Sequence, residues 1–129
     1  ADSLQRSEAF FRAVHEAGAR PLVGGGDHLG SLPVLRAIAR GRALGMVHFD
    51  SHSDTNDSYF GGFTLTHGTP FRRAIDEGLL DPRRIIQIGL RGSMYERDDH
   101  AWAKDAGIRV MTIEEAVDLG PDAVAAEAR

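Results

Sequence analysis

Three apolar runs, ALGMVHF at residues 43–49, RIIQIGL at 84–90 and IRVM at 108–111, alternate with stretches whose apolar residues recur at helical spacing. A strand apolar nearly throughout is a strand covered on both faces, and strands that alternate with helices pair in parallel. The chain is thus expected to be α/β, a parallel sheet with helices on its faces. Ligand sites in such sheets lie at the carboxyl ends of the strands.

The helices are marked as well. Leu4, Phe11 and Val14, with Phe10 and Ala17 beside them, form an apolar stripe that Gly18 would stop. RPLVGGG, residues 20–26, reads as a further short strand running into a glycine turn. Ser31 suits the cap of a helix bearing Leu32, Leu35 and Ile38, which Gly41 would end. Thr69, Pro70 and Gly78 occupy the cap, first-turn and stop positions of another. Asp81-Pro82 reads as a turn, residues 101–106 as a polar helix, TIEE as a capping box opening a helix to Leu119, and PDAVAAEAR as a last helix.

With 129 residues, 42% of them hydrophobic, the chain is long enough for one modest core, so residues 1–129 are taken as one domain. A formal charge of −4 makes nucleic acid and anionic membrane poor partners. The absence of cysteine excludes disulfides and thiolate metal sites. The first residues lack a signal-peptide profile and no apolar run is long enough for a membrane span, so a cytoplasmic protein is the simplest expectation.

The chemistry is concentrated in HFDSHSDTND, residues 48–57, directly after the strand ALGMVHF. Where the backbone stays extended, residues two apart share a face, about 6.5 Å apart, so Asp50, His52 and Asp54 would converge. Like charges held together need solvent or a cation among them. Carboxylates mixed with imidazole favour a transition metal over calcium or magnesium, with manganese the first choice and zinc, iron or cobalt the alternatives. A solvated loop rich in Asp, Ser and Asn is the competing interpretation. A second cluster, GGGDH, ends the preceding expected strand and would place His28 beside Asp50. Asp27 would orient His28 or cap a helix.

These segments, GGDHLGSLPVLRAI, HFDSHSDTND, THGTPFRRAIDEGLLDPRR and QIGLRG, agree in order and spacing with the ureohydrolases, and the chain resembles the arginase and agmatinase superfamily from about Pro21 to Gly120. THGTPFRRAIDEGLLDP is nearest to its agmatinase and guanidino-acid hydrolase branch. The resemblance implies an arginase-type fold, a three-layer α/β/α sandwich, of which this chain is a part. It implies two manganese ions, with His28 and Asp54 on one, His52 on the other and Asp50 bridging both. Water held between two cations has its pKa lowered toward neutrality and attacks the guanidinium carbon, giving urea and an amine. The resemblance also gives His67 a role in proton transfer, its alternative being an ordinary histidine in a turn. Asn56 falls where arginases place a contact to the substrate carboxylate, which keeps guanidinobutyrate and guanidinopropionate beside agmatine as substrates. A homo-oligomer is implied as well.

His48 is expected to be a hydrogen-bonded core residue or to support the ligands; His15 and His100 are taken as surface histidines, and Arg72 and Arg73 as solvated or interfacial. Tyr59, Phe60 and Phe63 would form a loop over the site's mouth or anchor it. The superfamily's later D-x-D pair and substrate-binding glutamate are not in the sequence, which is expected to be a fragment of a longer enzyme, inactive alone. A metallophosphoesterase also uses D-x-H after a strand, but its GNH signature is missing; an assembly module is the remaining alternative.

Overall fold

The computed structural model describes residues 2–93 and 100–129. Three strands, β1 (Leu44–Phe49), β2 (Leu80–Leu90) and β3 (Arg109–Thr112), form one parallel sheet in the order β1-β2-β3. Six helices surround it: α1 (Asp2–Glu16), α2 (Ser31–Ala39), α3 (Pro70–Asp76), α4 (Ala101–Ala106), α5 (Ile113–Leu119) and α6 (Pro121–Glu127). None is long and apolar enough to cross a membrane.

The period of two along β2 divides the core. Ile85 faces α2, α3 and α4 in a cluster with Leu32, Phe71, Ala74, Leu80, Ala103, Ile108 and Val110, and α1 lies against α2. Ile86 and Ile88 face the other way with Met111, against Ala116 of α5 and Val124 of α6. Helices therefore lie on both faces, in three layers. Arg109 on β3 reaches both Glu115 and Glu127, which ties α5 and α6 to the sheet. Gly89, at φ 91°, sits where the register with β3 shifts, and Leu90 beyond it joins the first cluster. A single bulge thus reverses the face to which the end of β2 points.

Four expectations need correction. Residues 20–26 form no strand: Leu22 is fully exposed, and the segment makes no ladder bonds. A strand there requires an edge to pair with, and three successive glycines add entropy cost without side chains to pack. Asp81-Pro82 does not precede β2 but lies within it, because the register jumps from Leu44↔Leu80 to Met46↔Ile85 and the extra residues bulge from the ladder. β1 is apolar on both faces but covered on one: His48 is buried, whereas Val47 and Phe49 are 48% and 73% exposed. Ser31 is the first residue of α2, not its cap. The capping side chain is Asp27, whose Oδ1 accepts from the Leu29 N–H at 2.9 Å and opens a short 3-10 turn, His28–Gly30.

Thr69 stands at the N-cap of α3 with Pro70 in the first turn, but its hydroxyl makes no cap bond. Fully buried, it accepts from the Thr66 N–H at 3.0 Å and turns toward the Thr64 carbonyl at 2.8 Å. The residue that begins the helix also closes the loop bearing His67.

Candidate metal centre

The carboxyl end of β1 carries the site. Its ladder runs on to the Asp50 N–H, which donates to the Ile88 carbonyl at 3.2 Å, and there the chain leaves the extended form. The His52 N–H folds back onto Asp50 Oδ1 at 3.0 Å, a local turn that an aspartate side chain favours. Asp54 then adopts a left-handed backbone, φ 50°, uncommon for a residue with a Cβ. Convergence is thus achieved by a turn and one strained residue, not by the alternation of an extended strand.

His28 Nδ1 lies 2.6 Å from Asp54 Oδ2 and 3.4 Å from Asp50 Oδ2, and His48 Nε2 lies 3.3 Å from the same Asp50 oxygen. Ligand atoms of His28, His48, Asp50 and Asp54 fall within 4.8 Å of one another. His52 stands on the opposite side of Asp50, with Nδ1 3.8 Å from Oδ1 and 2.9 Å from the Ser51 hydroxyl. The two oxygens of Asp50 therefore face different imidazoles, Oδ2 toward His28 and Oδ1 toward His52. A Cβ at Gly92 would overlap the His52 ring, so the glycine seats it.

The hydrogen bond that the His28 ring donates to Asp54, helped by Asp54 and Asp50 charge, raises the His28 pKa against the opposing cost of its burial. Burial lowers that of His48, despite Asp50 nearby, and so favours its neutral form. Burial pushes the Asp50 carboxyl up, but the His52 N–H and the two imidazoles outweigh it and hold the group below the usual carboxylate range. A carboxylate pair, Asp54 buried and Asp50 half-buried, with neutral or proton-sharing imidazoles at one strand end is a donor set that fits a divalent transition metal.

His28, Asp50, His52 and Asp54 line a cavity of ≈ 470 Å³ together with Tyr59, His67, Gly68 and Ser93. His67 stacks on Tyr59, with ring centroids 5.9 Å apart, and a Cβ at Gly68 would strike the Tyr59 ring. Asn56 is outside this cavity, in a small adjoining recess that shares His52, Tyr59 and Ser93 with it. Asp27 caps its turn. Asp57 pairs with Arg73 at 2.7 Å, which fixes the next loop to α3, while Arg72 lies over the Trp102 ring at 4.0 Å. Phe60 and Phe63 are exposed, and Tyr59 and Phe63 form an isolated bridge beside the cavity. His48, expected in the core or in support of the ligands, joins the cluster, and Gln87 beside it escaped the sequence argument. His48 extends the alternation of Asp50 and His52 backward by one step, and Gln87 is the lone polar side chain of the run IIQIGL at residues 85–90.

A parallel sheet with imidazoles and carboxylates gathered at one strand end defines an α/β chain with a His/Asp cluster that could hold a metal ion. The Arginase family model matches residues 1–129, and the chain belongs to that family. It is 64% identical over 128 residues to a guanidinopropionase from Pseudomonas aeruginosa, covering 99% of this chain and 40% of that protein. It is 44% identical over 115 residues to a mitochondrial agmatinase from Gallus gallus, covering 88% of this chain and 34% of that one. The chain thus spans about two fifths or less of the length of these relatives. The proclavaminate amidino hydrolase of Streptomyces clavuligerus has the same fold at a TM-score of 0.87 and 38% identity, over 98% of this chain and 42% of that one. A Trypanosoma cruzi formiminoglutamase solved with Mn2+ matches at 0.83 and 26%, over 98% of this chain and 43% of that one. The arginase-type α/β fold expected from the sequence is therefore present, in part.

Proposed function

We propose that the chain is part of a manganese-dependent hydrolase that cleaves the guanidino group of a small guanidino acid, of the guanidinopropionate type, to urea and an amine. The observation that carries this is Asp50, whose two oxygens face His28 and His52 on opposite sides. His28 and Asp54 would hold one ion, His52 the other, and Asp50 both. Bound there, manganese ions would supply charge that activates water and stabilises the negative charge on its oxygen as it approaches the guanidinium carbon. The likeness to a guanidinopropionase and, at 45% identity, to a guanidinobutyrase of Pseudomonas aeruginosa supports a carboxylated substrate over agmatine.

The chain's own side chains do the rest. Water adds its oxygen to the carbon, the bond to the alkyl nitrogen breaks, and that nitrogen leaves as an amine only once protonated. His67, on the cavity wall and steadied by Tyr59, carries a proton between solvent and the leaving nitrogen. Asn56, in the adjoining recess, meets the substrate carboxylate through its amide. Like charge from Asp50 and Asp54 keeps that carboxylate at the far end, so the guanidinium enters first.

In full-length protein loaded with Mn2+, urea release from guanidinopropionate is expected to exceed that from guanidinobutyrate, agmatine and arginine. Asn56→Ala should weaken the acids and leave agmatine unchanged. A preference for agmatine or arginine would sink the substrate assignment, and phosphate release from phosphoesters without urea would sink the reaction.

A further inference from the structure

His48 lies close enough to His28, Asp50 and Asp54 to be counted a fourth ligand, with a buried Nε2 that makes no aligned hydrogen bond. Its partner on β2 argues otherwise. The register pairs His48 with Gln87, and both side chains are buried on the same face of the sheet. Gln87 Nε2 lies 2.5 Å from the Ser53 carbonyl and 3.2 Å from His48 Nδ1.

The orientation of this amide is fixed by chemistry. A carbonyl can only accept, so the atom against Ser53 must be the nitrogen; turning the amide over would set oxygen against oxygen. The nitrogen has two hydrogens. One goes to Ser53, and the other points at His48 Nδ1, which must then be the acceptor. A neutral imidazole with an accepting Nδ1 carries its proton on Nε2, the nitrogen that lies 3.3 Å from Asp50 Oδ2 without being aligned on it for a hydrogen bond. The buried Oε1 of Gln87 is left without a hydrogen-bond partner among the described residues, a cost that two donations from Nε2 offset.

We propose that His48 is not a metal ligand but a positioning residue: Gln87 fixes it as the Nε2–H tautomer, so that it presents an N–H and no lone pair beside Asp50 and helps hold that carboxylate in place for the ions. The same amide grips the carbonyl of Ser53, immediately before Asp54, whose left-handed backbone delivers the other carboxylate. One side chain on the neighbouring strand thus sets both acids. Phe71, edge-on to the rings of His28 and His48 at 5.1 and 4.6 Å, keeps the two imidazoles from turning. This inference rests on the metal centre proposed above.

The tautomer is read directly by heteronuclear NMR of protein labelled in histidine, without metal and then with cadmium. The wild-type protein is expected to show His48 protonated at Nε2 in both states, with cadmium coupled to other histidines. Gln87→Met is expected to mix the tautomers and to weaken Mn2+ binding about tenfold, the loss typical of a group that orients a ligand. His48→Gln, which keeps a donor near Nε2, is expected to stay within about tenfold of wild type. A proton on Nδ1 in the wild type, coupling of cadmium to His48, or a loss in His48→Gln as large as in Asp50→Asn would overturn the inference. Wild-type protein with the expected tautomer that takes up no Mn2+ would instead overturn the metal centre itself.

Discussion

Asp54 reaches His28 through a backbone conformation that few residues with a Cβ adopt, and the bond it makes there governs how the site responds to pH. Because Asp54 favours the charged form of His28, the pKa of that ring in the folded chain lies above its ordinary 6.5. The metal-free pair therefore stabilises the fold below the unfolded histidine value, and this contribution is lost as pH rises through the raised folded value. A metal needs the ring neutral, so its binding must expel the proton that Asp54 retains. Mn2+ affinity should accordingly rise through the ordinary histidine range and beyond it, with proton release on titration; affinity independent of pH in calorimetry across that range would contradict the pairing. Although the strand expected before His28 does not form, Asp50, His28 and Asp54 were visible in the sequence as residues expected to converge. Their mode of convergence was not, because an extended strand and an aspartate turn carry the same letters. His48 is the sharper lesson: its place in the row was visible, but its tautomer depends on Gln87, a residue brought opposite only by strand register.

Among the elements, the glycine stops, the Thr112 cap and the apolar core of β2 were well marked, since such residues act locally, whereas the cap of α2 was misplaced at Ser31. What the local signals missed were long-range terms. The strand expected at residues 20–26 has the composition of a strand but no partner edge, and Asp81-Pro82 has the composition of a turn but is absorbed as a bulge against β1. Thr69 shows an element-scale function hidden behind a correct position. It starts α3, yet its hydroxyl closes the loop from Thr64 to the helix and so holds His67 at the cavity. Thr69→Val keeps the shape but leaves the Thr66 N–H and the Thr64 carbonyl without this partner. An unsatisfied buried polar group costs about 1–3 kcal/mol, so the variant should lose about that much in denaturant unfolding. The proposed proton transfer by His67 should suffer with it. Unchanged stability would show that solvent reaches the loop and that the hydroxyl is not its clasp.

At the scale of the whole molecule, the sheet is covered unevenly, and this bears on what the chain does by itself. The parallel α/β architecture was legible because apolar runs and helical stripes alternate. The uncovered side of β1 was not, because Val47 and Phe49 read as core residues and are nonetheless 48% and 73% exposed. Leu22, fully exposed beside the glycine turn, adds to the same picture. Among the described residues the outer edge of β1 is also unpaired, and an exposed apolar edge strand is a template for association. The relatives at 64% and 44% identity are more than twice as long as the matched segment, so they carry chain that could cover such a face. The proposed ligands follow the same division: His28, Asp50, His52 and Asp54 present four side chains, fewer than two manganese ions with their octahedral preference would require. Expressed as these 129 residues alone, the chain should bind Mn2+ weakly, take up an apolar dye and self-associate, and release little or no urea from guanidinopropionate. Phe49→Glu should reduce the dye binding and the association without restoring activity, since it repairs the surface and supplies no ligand. Urea release by the 129-residue chain at the rate of the full-length protein would mean that four ligands suffice, and the two-ion centre proposed for the family member would have to be given up.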